Sequence, residues 1–148
     1  DDSARSRLRN QAIGVIPQGQ TGLPSLTVLE NVLAPVGMYG DSSKKEARAH
    51  ELLELVGIDD LYDVYSTELS GGELRRMSIA RALINDPQII IADEPTGDLD
   101  DETTEMVLRL LRQLADDGAS VLIITHEKDA LEYADIVYRM EKGVLTRV

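Results

Sequence analysis

The chain reads as an α/β protein with a parallel sheet and a helical insertion near its start. Three observations carry that reading. QIIIAD at 88–93 is a continuous apolar run ending on an acid, SVLIIT at 120–125 is a second β-branched run, and the segment between them has helical spacing. Strands that alternate with helices favour parallel pairing through crossover connections. An unbroken apolar strand, rather than an alternating one, predicts a strand covered on both faces.

The elements follow in order. AIGVIP (12–17) is short, β-branched and stopped by proline, which predicts a first strand. After the loop QGQTGLPSL, Thr27 is placed to cap a helix running to about Tyr39, with Val28, Leu29, Val32, Leu33 and Val36 on one face. Pro35 lies inside it and predicts a kink or break. A second helix spans 41–57, capped by Ser42 or Ser43, lined by Ala49, Leu52, Leu53 and Val56, and closed by Gly57. An acidic turn-and-loop segment leads to LSGGE, the mouth of a third helix. From residue 88 the pattern becomes strand (88–93), helix (100–116), strand (120–125), short helix (127–133) and strand (135–140). Residues 21–67 contain no strand and form the helical insertion.

Composition sets the boundaries. In 148 residues, 43% are apolar and 28% charged, the balance of a globular domain. No apolar run approaches the roughly 20 residues of a membrane-spanning helix. The charged DDSARSRLRN start does not resemble a signal peptide. Absence of cysteine excludes disulfides and thiolate metal sites and suits the cytosol. A net charge of −12 disfavours binding nucleic acid through its phosphates and reads as a solubility feature.

In parallel α/β sheets, ligands bind beyond the carboxyl ends of the strands. Those ends carry Gln18, Asp93 with Glu94, and His126. Asp93 suits a Mg²⁺ beside phosphates, which takes one or two carboxylates plus water. Glu94, directed elsewhere by strand alternation, suits a general base. Two strand-end acids also fit a plain capping or solvent-facing role, His126 alone fits an ordinary surface histidine, and His50 reads as solvent-facing. In LSGGE, Ser70 is an N-cap candidate. Two following glycines cost helix propensity but permit an anion to approach the helix tip. No G-x-x-x-x-G-K-[ST] phosphate loop occurs in the chain.

Taken in order, Gln18 after a strand, a helical insertion, LSGGE, IIIADEPTGDLD and IITH resemble the ATP-binding-cassette (ABC) ATPases over essentially the whole chain. The resemblance implies a P-loop NTPase core with a parallel sheet plus a helical subdomain, the core being residues 1–20 and 69–148 and the subdomain 21–68. It makes Gln18 the Q-loop glutamine and a Mg²⁺ ligand. It makes Leu69, Ser70, Gly71, Gly72 and Glu73 the signature motif on a partner's ATP, and places Asp100 in the D-loop that begins at Gly97. Asp93 becomes the Walker B magnesium ligand, Glu94 the catalytic base and His126 the γ-phosphate contact. EPTGDLD and LTVLENV look most like the lipoprotein-release and macrolide-export branch. Glu73 stands where the family usually has Gln, and its acidic side chain is expected to turn away from the helix tip. The family's opening antiparallel sheet, adenine-stacking aromatic and Walker A strand and loop are missing. The chain therefore looks like the C-terminal two-thirds of a cassette, without ATPase activity by itself. The missing strand would lie between those ending at Thr125 and Met140, leaving an open slot.

The function implied is ATP hydrolysis driving transport, with ATP and Mg²⁺ as ligands. The partners implied are a transmembrane permease subunit and a head-to-tail cassette dimer, with no nucleic acid, at the cytoplasmic face of the membrane. Two other classes remain: a non-catalytic module presenting its signature half-site, and a DNA-maintenance ATPase. The latter's relatives carry long coiled coils, for which the stretch between Gln18 and Ser70 leaves no room.

Overall fold

The computed structural model describes residues 2–19, 22–38 and 40–148, so the helix end expected at Tyr39 lies outside the described residues. Helix α1 (Asp2–Ala12) runs directly into strand β1 (Ile13–Ile16). The sequence reading assigned no element to α1, whose mixed-charge composition carries no strong apolar stripe. Next come α2 (Val28–Gly37) and α3 (Glu46–Leu55), then α4 (Gly71–Leu83), β2 (Ile89–Asp93), α5 (Asp101–Asp116) and β3 (Ser120–Ile124). Strands β4 (Tyr138–Glu141) and β5 (Val144–Arg147) close the chain.

Local chemistry accounts for most boundaries. Thr27 and Glu30 cap α2 reciprocally: the Glu30 N–H donates to Thr27 Oγ1 at 3.3 Å, and the Thr27 N–H donates to Glu30 Oε2 at 2.9 Å. Pro35 does not break α2, which continues to Gly37. A proline so near the end removes one hydrogen bond and leaves little helix beyond it to redirect. The expected 41–57 helix divides into a 3₁₀ turn at Ser42–Lys45 followed by α3. Its cap is Asp41 rather than either serine, because the Asp41 carboxylate accepts from the Ser43 N–H at 3.2 Å and from the Ser43 hydroxyl at 2.7 Å. Gly57, at φ +69°, ends the helix as expected. His50 is half-buried rather than solvent-facing, with Nδ1 2.8 Å from Asp59 and its ring edge on Tyr62.

Strands β1, β2 and β3 form a parallel sheet in that order, in which Ile16 pairs with Ala92 and Asp93 with Ile124. One face is covered. Ile16, Ile90 and Ala92 join Met77, Ile79, Ala80, Val107 and Leu111 in a core that continues through Leu52, Leu53, Val28 and Val32 of the helical insertion. Gly14 is required there: a Cβ would stand 2.5 Å from the Ala82 carbonyl oxygen of α4. The opposite face is open, contrary to the expectation of two covered faces, with Val15, Ile89, Leu122 and Ile124 all exposed. Among the described residues no helix packs on that side, so the apolar run of β2 serves a face that this chain does not fill.

The 135–140 strand is the second correction. The strand begins only at Tyr138, and as β4 it pairs antiparallel with β5 in a separate hairpin instead of joining the sheet. Lys142 and Gly143 turn the hairpin at φ +50° and +82°, the doubly left-handed geometry of a tight β-turn. A neighbour two residues away satisfies the β4 backbone more readily than a sheet edge across a gap. Both hairpin strands are exposed throughout. Among the described residues no helix is long and apolar enough to cross a membrane.

Candidate functional site

Parallel register places three strand ends together. Because Ile16, Ala92 and Ile123 align across the sheet, Gln18, Asp93–Glu94 and Thr125–His126 all leave it at the same end. The Glu94 N–H extends the ladder one step, donating to the Ile124 carbonyl at 2.8 Å. Glu94 then departs from strand geometry at φ +47°. A non-glycine residue in that region costs on the order of 1 kcal/mol or more and persists where surrounding contacts hold it.

Those contacts are identifiable. Glu94 Oε2 accepts from the Thr125 hydroxyl at 2.9 Å, and Oε1 lies 2.8 Å from His126 Nδ1. The Glu94 side chain is only 16% exposed, whereas that of His126 is 85% exposed. The bond from His126, helped by the one from Thr125, holds the Glu94 carboxyl below its ordinary range. The same bond and the charge of Glu94 raise the His126 imidazole above its own. At neutral pH, Glu94 is thus an ionised acid with both oxygens directed at donors of the adjacent strand.

Asp93 is half-buried at the tip of β2, and among the described residues its carboxylate has no hydrogen-bond or salt-bridge partner. No group of three or more potential metal-binding acids or histidines occurs among the described residues. One free carboxylate beside an exposed amide at Gln18 is a poor all-protein cage. It is a suitable donor set for Mg²⁺, which takes most of its ligands from phosphate and water.

At α4, Ser70 is the N-cap and is exposed. Its hydrogen bonds stay within the first turn, and none reaches Asp93, Glu94 or His126. Glu73 does not turn away, as expected from sequence, but folds back. Glu73 Oε2 accepts from both the Ser70 N–H and the Ser70 hydroxyl, each at 2.7 Å, and the Glu73 N–H points at Ser70 Oγ at 3.4 Å. A helix start leaves N–H donors without intrahelical partners, and a third-position acid satisfies the first of them. The bonds from Ser70 and the nearby Arg76 charge lower the Glu73 carboxyl. Gly71 and Gly72 form the turn above, and a Cβ on Gly72 would lie 3.7 Å from Leu99 Cδ2, so the helix tip adjoins the 97–100 loop. Leu69 packs on the core instead of facing outward. Asp100, expected at a ligand, caps α5 by accepting from the Thr103 N–H at 2.9 Å and the Thr103 hydroxyl at 2.7 Å.

Three contributors escaped the sequence reading. Arg75 is 3% exposed and donates to the Pro17 carbonyl from Nη1 and to the Gln18 carbonyl from Nη2 at 2.8 Å, joining α4 to the Gln18 segment. The readable signal was a cation in line with Ile79 and Leu83, on the apolar stripe of the helix. Thr125 holds Glu94, and it also accepts from the Glu127 N–H at 3.0 Å. Thr96, 2% exposed, donates its hydroxyl to the Glu127 carboxylate and so connects the two strand-end loops.

Comparison with known proteins gives one consistent picture. The family model "ABC transporter" matches residues 2–97. The lipoprotein-releasing system ATP-binding protein LolD of Francisella tularensis is 42% identical over 147 residues, covering 97% of this chain and 64% of LolD. The macrolide export ATP-binding/permease protein MacB of Shigella flexneri is 42% identical over 148 residues, covering 99% of this chain and 23% of MacB. In solved structures, the dimeric bacterial ABC transporter cassette MJ0796 superposes with a TM-score of 0.90 at 33% identity, covering 99% of this chain and 66% of that one. A post-hydrolysis MJ0796 dimer bound to ADP and Pi gives 0.85 at 32%. The chain thus spans 64% of the length of the LolD relative.

Proposed function

The chain belongs to the ABC transporter family, and from that premise we propose that it is the signature-bearing part of an ATP-binding subunit that hydrolyses ATP to drive transport. The observation that carries this reading is Glu94, held ionised between Thr125 and His126 beside the free Asp93 carboxylate. A water attacking a phosphoryl group needs an acceptor for its proton and a cation on the phosphate oxygens. Glu94 is the acceptor, Asp93 and the Gln18 amide would hold Mg²⁺, and His126 would donate to the γ-phosphate. When bound, Mg²⁺ neutralises charge developing on the transferred phosphoryl group.

Ser70, Gly71 and Gly72 form no part of that cluster, the Ser70 bonds staying within the first turn of α4. They are assigned to the γ-phosphate of ATP held by a second, head-to-tail cassette, with Leu69 anchoring the turn and Asp100 fixing the adjoining loop. Residues 21–68 form the helical subdomain that meets a transmembrane permease, and the remainder forms the nucleotide core, at the cytoplasmic face of the membrane. A lipoprotein-release or macrolide-export type of transporter is the branch favoured by the LolD and MacB likenesses.

A hybrid cassette with the first third of the Francisella relative preceding this chain tests the reading. Glu94→Gln is expected to lower turnover at least a hundredfold while ATP binding persists; unchanged turnover would remove Glu94 from its role. A second reading is favoured by the missing phosphate loop: alone, the 148-residue chain presents its signature half-site without catalysis. No rise in melting temperature with Mg-ATP alone is the outcome expected from it.

A further inference from the structure

The first turn of α4 contains a residue whose charge the proposed reaction does not use. Ser70 has one hydroxyl proton, and it is committed: Oγ–H and the backbone N–H both point at Glu73 Oε2, each at 2.7 Å. A phosphate approaching this helix tip needs that hydroxyl and the free N–H groups of the turn, and it carries negative charge. It therefore meets a carboxylate already seated on one of its donors. The neighbouring charged side chain that acts on Glu73 is Arg76, one turn along on its own helix. Beside Gly72 stands the apolar Leu99 of the 97–100 loop, which offers no counter-charge.

We infer that Glu73 is a positioning residue for the signature site: its carboxylate holds the Ser70 hydroxyl in the separated chain and must release it before a partner's γ-phosphate can dock. The inference rests on the reading of Ser70–Gly72 as a half-site for a second cassette's ATP. Glu73 thereby sets the ATP concentration at which two cassettes close. A glutamine there keeps an oxygen for the Ser70 N–H, preserving the helix cap, but carries no charge to repel phosphate. Alanine removes both the cap and the charge. An ordinary capping role separates the two substitutions, alanine alone weakening association, whereas a release role makes both strengthen it.

The test uses the 148-residue chain and the intact MJ0796 cassette blocked in hydrolysis, with Mg-ATP titrated and hetero-association followed by sedimentation velocity. Glu73→Gln is expected to lower the half-association concentration of Mg-ATP about fivefold to tenfold, with the melting temperature of the chain unchanged. Glu73→Ala is expected to lower that concentration as well, although its melting temperature falls. The Ser70 amide proton is expected to shift upfield in the alanine variant, in NMR spectra of the chain without partner or nucleotide. Equal half-association for the parent and Glu73→Gln overturns the inference and leaves the half-site reading standing. So does weaker association in both variants, since the charge of Glu73 would then favour docking rather than oppose it. No Mg-ATP-dependent association by any form overturns the half-site reading itself, and the inference with it.

Discussion

Glu94 has its carboxylate between two donors and its backbone at φ +47°, so its place depends on the pair of bonds to Thr125 and His126. The bonds also set a pH window. The Glu94 carboxyl is depressed below 4.5, so its share of the pairing is present above that value and is lost as pH falls through the folded pKa. His126 is raised above 6.5, so its share is present below 6.5 and is lost as pH rises through the folded pKa. In an NMR titration, the His126 ring is expected to titrate above 6.5, and Glu94→Gln is expected to return it towards that value. A His126 midpoint unmoved by Glu94→Gln shows that the pair does not form in solution. Asp93, Glu94 and His126 were legible because an acid or an imidazole at the end of an apolar strand is conspicuous. Thr125 was not, since a threonine closing a β-branched run is what any strand offers. The behaviour of Glu73 was misread because the charge of a phosphate at the helix tip was weighed and its capping position was not: third in the helix, an acid finds the Ser70 N–H close at hand.

Helix α4 is the element through which the rest communicates. Its tip presents Ser70, its buried stripe joins the core, and Arg75 holds the Pro17 and Gln18 carbonyls with a guanidinium that has no carboxylate partner in the described residues. Bonds from a charged donor contribute more than neutral ones. Arg75→Met keeps most of the volume and is expected to cost about 2 kcal/mol in urea unfolding, and Arg75→Lys is expected to recover only part, because a single ammonium lacks the planar fork. The other end of the helix sets a steric limit. Gly14→Ala drives a methyl into the Ala82 carbonyl at 2.5 Å and is expected to cost about 1 to 3 kcal/mol by the same measurement. Full stability in Gly14→Ala would mean that β1 and α4 lie further apart. Most elements were legible from periodicity and caps, as with α2, α5 and β2. Helix α1 was not, because it carries no strong apolar stripe, and β4 was assigned to the wrong sheet because periodicity identifies a strand but not its neighbour.

At the scale of the whole molecule, a finished core lies beside an unfinished one. Helices fill one side of the sheet, while Val15, Leu122 and Ile124 on the other are about half exposed, and Met140, Val144 and Leu145 of the hairpin are exposed too. Contiguous apolar surface beside an open strand edge favours association. Sedimentation of the purified chain is expected to show self-association that falls when Leu122 and Ile124 are changed to lysine; a monomer at high concentration would show that this face is covered in solution. The same division bears on the proposed function, in which the acids serve one triphosphate and the signature tip that of a second cassette. The most direct measurement is ATP-dependent dimerisation of the hybrid cassette carrying Glu94→Gln, with and without Gly71→Asp. An acid at the first position of α4 favours the helix but repels phosphate. The expected result is a dimer that forms only with Mg-ATP and is lost on Gly71→Asp at unchanged melting temperature. A dimer that forms equally well with aspartate at position 71 would contradict it.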